Sequence, residues 1–322
     1  MGNRANIVLV DRDGWQLRYS HWAGCRMLDA LIAGPAHAER YVRAQESGEF
    51  WTDELWADGG LVLDLVARKV LFFGEELMTT MNERRAMFEV LATIWSGYSI
   101  SWAYDATAEI AAYVGAPAPM RDKPSHPELK LAADTSRLHH LVTVLGCDGV
   151  TRGWPLWWGS SAAWHGPRLI EMLPGEGARV LDLAMLPESG VHVDMPGKTV
   201  GVWVTNPVPG LFRWLAQLWP GWHIEWWDDR YEEQLLRCAP GITAPELDLA
   251  SGAAEAEAWL GKRVFQSYED SPPGRFRSLA AMFGAAESGS AVTAPMAMRP
   301  NAREWGAFQR ACARTRERWQ AA

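Results

Sequence analysis

Ala92–Asp105 (ATIWSGYSISWAYD) aligns without gaps on Ala216–Asp229 (AQLWPGWHIEWWDD), keeping Ala, Trp, Gly, Ile, Trp and Asp in register, about six identities in fourteen positions. Self-similarity at a fixed offset is the mark of an architecture made from a repeated unit, and it outranks any local motif. Extending the comparison outward, Gly60–Gly74 (GLVLDLVARKVLFFG) matches Gly190–Val204 (GVHVDMPGKTVGVWV), with Asp64 against Asp194 and Val70 against Val200. Phe88 falls on Phe212 and Leu91 on Leu215. Residues held in both copies are most simply explained by packing, so chemistry belonging to one copy should lie where the copies differ.

The local signals give each copy its elements. Ile7–Val10 is an apolar strand, and Asp13-Gly14 is a two-residue hairpin turn before alternating Trp15, Leu17 and Tyr19. Met27, Leu28, Leu31 and Ile32 recur at helical spacing up to Gly34-Pro35, and a second helix is expected from about Ala36 to Gln45. Gly60–Gly74 reads as two strands turning near 66–68, followed by a helix over 82–95, a strand over 99–104 and a helix over 107–114. The second copy repeats the order: Leu141–Val144, the Asp148-Gly149 turn, a return strand carrying Trp157 and Trp158, then Gly190–Val204 turning at Pro196-Gly197. A helix over 209–218, the strand 223–227 and a helix over 230–238 complete it. The predicted fold class is α+β: two tandem homologous ββαββαβα-type repeats packed as a pseudo-symmetric pair, plus a helical C-terminal extension. The expected boundaries are 1–115 for the first repeat, a Pro-rich linker at 116–135, 136–242 for the second repeat, and a helical region at 243–322. Within the last, Ala253–Tyr268 is an expected helix, Ser271-Pro272-Pro273-Gly274 a break, 284–300 a loop of small residues, and Ala302–Trp319 a helix with an arginine-bearing face.

Bulk properties exclude some functions. A formal charge of −8 argues against general nucleic-acid binding, which draws its affinity from clustered Lys and Arg displacing counterions. No apolar run reaches membrane-spanning length, and charges come early in MGNRANIVLVDRDG, so a cytoplasmic protein is expected. Cys25, Cys147, Cys238 and Cys312 form no CxxC pair and predict reduced thiols. The 19 Trp, against 9 Phe and 7 Tyr, suit either large cores or aromatic binding platforms.

Ile7-Val8-Leu9-Val10-Asp11-Arg12-Asp13-Gly14 resembles the first motif of haloacid-dehalogenase-type phosphatases. The resemblance implies a nucleophilic Asp11, an acid–base Asp13 and, at the end of a later strand, Asp228-Asp229 as a metal-binding pair. The duplication opposes it: Asp13-Gly14 has a counterpart in Asp148-Gly149 and Asp229 in Asp105, which makes these acids punctuation at turns and strand ends. Trp15 also stands where that family carries Thr or Val, and a strand follows where the family has a helix.

Other candidates are assembled from single residues. His21 and Cys25, four apart where a strand enters a helix, could share a face as a thiolate–imidazole pair or as two metal ligands. His139, His140 and Cys147 border the equivalent place in the second copy, and packing of the copies would bring both groups to one cleft. Trp154, Trp157, Trp158 and Trp164 cluster in the second copy alone and could present an aromatic surface. No phosphate-loop, dinucleotide, nucleophile-elbow or HExxH pattern occurs, and no cofactor or metal is assigned. The expectation is a cytosolic binding protein that recognises a protein partner through an acidic, Trp-rich surface, as immunity proteins do. The alternatives are an enzyme between the repeats using Asp11, His21, Cys25, His139, His140 and Cys147, or a saccharide-binding module; a protein or small ligand at the inter-repeat cleft is the expected partner.

Overall fold

Only Arg12 and Asp13 separate β1 (Arg4–Asp11) from β2 (Gly14–Ser20), and the two strands pair antiparallel from Ala5 opposite Ser20 to Asp11 opposite Gly14. The computed structural model describes residues 3–53, 55–117, 129–157, 162–266 and 299–321. It is a mixed α+β protein with two mixed sheets, and it divides into two compact units. One holds the described residues of Met1–Met78, Asn82–Met120 and Asp248–Ala322; the other holds those of Thr79–Met81 and Arg121–Leu247.

In the first unit, helices α1 (Leu28–Leu31) and α2 (Pro35–Arg43) follow the hairpin. Pro35 opens α2 rather than ending α1, since a missing N–H costs nothing in a first helical turn. The two-residue β3 (Glu46–Ser47) lies against β2, then come β4 (Ala57–Asp64), β5 (Lys69–Phe73), α3 (Met81–Ile94, in this unit from Asn82 on), β6 (Ser99–Trp102) and α4 (Ala106–Tyr113). The sheet order is β3-β2-β1-β4-β5-β6, with β1 parallel to β4 and β5 parallel to β6. Central strands β1 and β4 carry unbroken apolar runs because both faces are covered.

The second unit has β7 (His140–Leu145) and β8 (Thr151–Leu156), a 3-10 segment Ala162–Arg168 leading into α5 (Leu169–Met172), and the short β9 (Leu181–Asp182). Next come β10 (Ser189–Asp194), β11 (Thr199–Val204), α6 (Leu211–Leu218), β12 (His223–Trp226), α7 (Tyr231–Cys238) and β13 (Ile242–Thr243), which pairs with β9. Its main sheet runs β12-β11-β10-β7-β8. Within each unit, taken by itself, the first hairpin is antiparallel, its first strand pairs in parallel with the next long strand, a second hairpin follows, and a parallel strand closes the edge.

Some residues that align between the two stretches of sequence make similar local bonds in their own units. Trp95, buried at the end of α3, donates its indole N–H to the Leu31 carbonyl at 2.8 Å and packs edge-on against Tyr98 at 5.1 Å. Trp219, buried at the end of α6, donates to the Ala163 carbonyl at 2.8 Å and packs edge-on against Trp222 at 5.2 Å. Asp64 and Asp194 each accept backbone N–H groups of the turn that follows, from Val66 and Ala67 in one case and Gly197 in the other. Opposite an aromatic residue on the neighbouring strand stands a glycine: Gly60 beneath Phe73 and Gly190 beneath Trp203, where a Cβ would meet the ring at 2.6 Å and 2.2 Å.

The C-terminal helices, expected as a region of their own, belong with the first unit. α8 (Leu249–Val264) starts four residues before the expected position because Asp248 caps it, accepting from the Ser251 N–H at 2.8 Å. α9 (Ala302–Gln320) opens with a capping box formed by Asn301 and Glu304. A charge cluster pins α8: Arg263 bonds both oxygens of Glu75 at 2.8 Å and Asp29 at 2.7 Å, and Arg26 holds the other oxygen of Asp29. The break at 271–274, the loop at 284–298 and most of the Pro-rich linker (118–128) lie outside the described residues. No helix among the described residues is long and apolar enough to cross a membrane.

Candidate functional site

The acids of the phosphatase-like stretch close a turn. Asp11 accepts the Asp13 N–H at 3.1 Å and pairs with Arg43 at 3.2 Å, and β2 begins at Gly14 with no helix following. Those bonds explain an aspartate at a hairpin without any nucleophilic role.

His21 and Cys25 sit in the first unit without a hydrogen bond between them. The Tyr19 hydroxyl lies 2.9 Å from His21 Nδ1, and burial together with the nearby Arg4 charge lowers the imidazole pKa. Burial and the Asp58, Glu76 and Glu75 charges push the Cys25 thiol up to about 12, the opposite of an activated thiolate.

In the second unit the structure gives the histidines partners. His139 Nδ1 lies 3.1 Å from Glu188, whose other oxygen accepts from Asn206 at 3.2 Å, and His140 Nδ1 is hydrogen-bonded to the Ser189 hydroxyl. These pairs stand where β7 and β10 begin side by side. Cys147 is exposed in the turn between β7 and β8. Among the described residues no group of three or more His, Cys, Asp or Glu could hold a metal ion.

Trp154 and Trp164 are 6% and 2% exposed, within the core of the second unit, so their rings are not available to a partner. Trp154 also donates its N–H to the Pro174 carbonyl at 3.1 Å. Trp157, just past the end of β8, is 41% exposed; Trp158 lies outside the described residues. The four tryptophans are neighbours in sequence, but Trp154 on β8 and Trp164 in the 3-10 segment Ala162–Arg168 face inward.

A cluster of exposed apolar side chains lies in the first unit, in a segment outside the two aligned stretches. Between β3 and β4 the chain reads Glu46-Ser-Gly-Glu49-Phe50-Trp51-Thr52-Asp53-Glu-Leu55-Trp56-Ala-Asp58, with five acids and no base. Phe50 is 81% exposed, Leu55 59% and Trp56 50%, and Trp15 of β2, 44% exposed, stands 6.3 Å from Trp51. Hydrogen bonds anchor the described backbone beneath them. Asn6 of β1 clamps Thr52 in both directions, donating to its carbonyl at 2.8 Å and accepting its N–H at 2.9 Å. Asp53 Oδ1 accepts from the Leu55 and Trp56 N–H groups, and Arg4 lies 5.0 Å over the Trp56 ring. The carboxylates of Glu46, Glu49, Asp53 and Asp58 form no ion pair with any described residue. The segment thus sets large exposed apolar side chains among acids on an anchored backbone.

No family model, no curated protein and no solved structure matches this chain.

Proposed function

We propose that the protein is a cytosolic binding protein made from a duplicated α+β unit, and that it recognises a basic protein partner through residues 46–58 and Trp15. The observation that carries this is the clamped segment itself, with Phe50, Leu55 and Trp56 turned outward near the carboxylates of Glu46, Glu49, Asp53 and Asp58, none in an ion pair with a described residue. Aromatic anchors supply most of the energy of an interface, while acids at its rim steer a basic partner and reject acidic ones. Neutralisation of a basic toxin by an immunity protein is the type of interaction this surface suits. Support for the duplication comes from the like strand pairing within each unit and from the matching bonds of Trp95 and Trp219. Capture from lysate of the source cells is the test. The wild type should retain a basic protein in stoichiometric amount that Phe50→Ala/Trp56→Ala and Glu49→Lys/Asp53→Lys both lose; retention by all three forms would reject the segment as the binding surface.

A second reading, an enzyme, is favoured by one observation: the Ser189 hydroxyl on His140 beside the His139–Glu188 pair. A hydroxyl bonded to an imidazole is the core of nucleophilic acyl transfer. Covalent labelling of the folded protein by an organophosphonate, lost in Ser189→Ala, would turn the assignment to this reading.

A further inference from the structure

The outward face of α9 carries the opposite charge to the 46–58 segment. Its inward face, Phe308, Ala311, Cys312 and Thr315, is buried, and Arg316 pairs with Glu257 of α8. On the outside stand Arg303, Arg310 and Arg314, seven and four residues apart and so along one stripe of the helix roughly 17 Å long. None of the three has an ion pair or hydrogen bond to a described residue, in a chain whose formal charge is −8. Gly306 and Ala307 leave the stripe low between Arg303 and Arg310, with the Arg310 guanidinium lying across Gly306.

We infer that this arginine stripe receives the 46–58 segment of a second copy of the chain, so that copies associate head to tail when no other partner is bound. The inference rests on the same reading of 46–58 as a docking surface. Among the described residues of one molecule the two sets of charges make no ion pair with each other, and the chain itself offers both signs. Contact of this kind is heterologous: the two surfaces differ, and each copy keeps one of each free for the next. It hides the exposed aromatic side chains of 46–58, and a basic partner competes with α9 for them.

Sedimentation equilibrium of the full chain over about 10 to 200 µM tests it. At low salt the weight-average mass should rise above the 35.9 kDa monomer with concentration, and about 0.5 M salt should return it to the monomer. Arg310→Glu/Arg314→Glu alone and Glu49→Lys/Asp53→Lys alone should each stay monomeric. Mixed, they should associate, since the first retains the acidic segment and the second the arginine stripe. All four positions are exposed, and unchanged circular dichroism would show both variants folded. Overturning results are a wild type that is monomeric throughout at low salt, association that survives Arg310→Glu/Arg314→Glu, or a mixture that fails to associate. Binding of a basic partner is read separately: Arg310→Glu/Arg314→Glu should still capture it, so loss of self-association leaves the partner reading standing.

Discussion

Replacing either Trp95 or Trp219 by Phe should destabilise the unit that holds it by a similar amount. In each variant a buried carbonyl loses its indole donor but keeps a second one: Leu31 still accepts the Gly34 N–H at 3.1 Å, and Ala163 stays within its 3-10 turn, so the lost bond costs about 1 kcal/mol or less. The smaller ring also leaves space beside Tyr98 or Trp222, worth about another 1 kcal/mol. The total is about 1–2 kcal/mol in each case. Because two units need not unfold together, a single melting curve is a poor assay, whereas hydrogen exchange reads each sheet separately. Peptides covering β4 in Trp95→Phe and those covering β10 in Trp219→Phe should each exchange about 5- to 30-fold faster than in the wild type. Exchange at the wild-type rate in either variant would refute the assignment of these tryptophans as the hydrogen-bonded anchors of their units.

Gly59→Ala should fail to fold stably, losing about 3 kcal/mol or more in chemical denaturation, because its Cβ would fall 2.0 Å from the Gly24 carbonyl oxygen, backbone that cannot yield. Gly14→Ala, with nothing within 4 Å, should lose only about 1 kcal/mol for its positive φ, and equal losses in the two variants would contradict the packing described. Arg263→Met leaves the buried carboxylates of Glu75 and Asp29 without their shared cation and should cost about 3–5 kcal/mol, read as accelerated exchange of α8; unchanged protection there would remove the cluster from the account. Burial, reinforced by the Arg237 charge, lowers the His192 pKa to about 4, while in the unfolded chain it titrates near its ordinary value. The unfolded state therefore binds the extra proton between about pH 6.5 and 4, so this residue's share of stability, about 3 kcal/mol, is present above that window and lost as pH falls through it. His192→Asn should flatten the acid limb of a stability–pH curve, and a limb of unchanged slope would place the proton uptake elsewhere.

Sequence patterns revealed most elements, for physical reasons that differ from place to place. Asp13-Gly14 announces a hairpin because few other pairs tolerate its backbone, and the short apolar stretches within 60–74 and 190–204, broken by charged turns, suit paired interior strands. What periodicity could not supply was direction. Trp154 and Trp164 look alike in sequence to Trp157, yet two face the core and one faces out: Trp154 shares the inward face of β8 with Leu156, Trp157 lies just past the strand's end, and Trp164 is buried in the 3-10 segment. The Ser189–His140 and Glu188–His139 pairs join residues 49 apart through parallel strands, a separation that no local motif encodes. The 46–58 segment is an acidic, aromatic run in the sequence, but it lies outside the two stretches that align and carries no recognised motif. Its significance rests on the Asn6–Thr52 clamp, a contact across 46 residues.

Photo-crosslinking inside the cells that make the protein tests the central claim most directly. A benzophenone amino acid placed at Phe50 should trap a basic protein, while the same group at Val180, equally exposed at 81% but far from 46–58 in the chain, should not. Capture of that protein from position 180 and not from position 50, or of no protein from position 50, would contradict the assignment of 46–58 as the recognition surface.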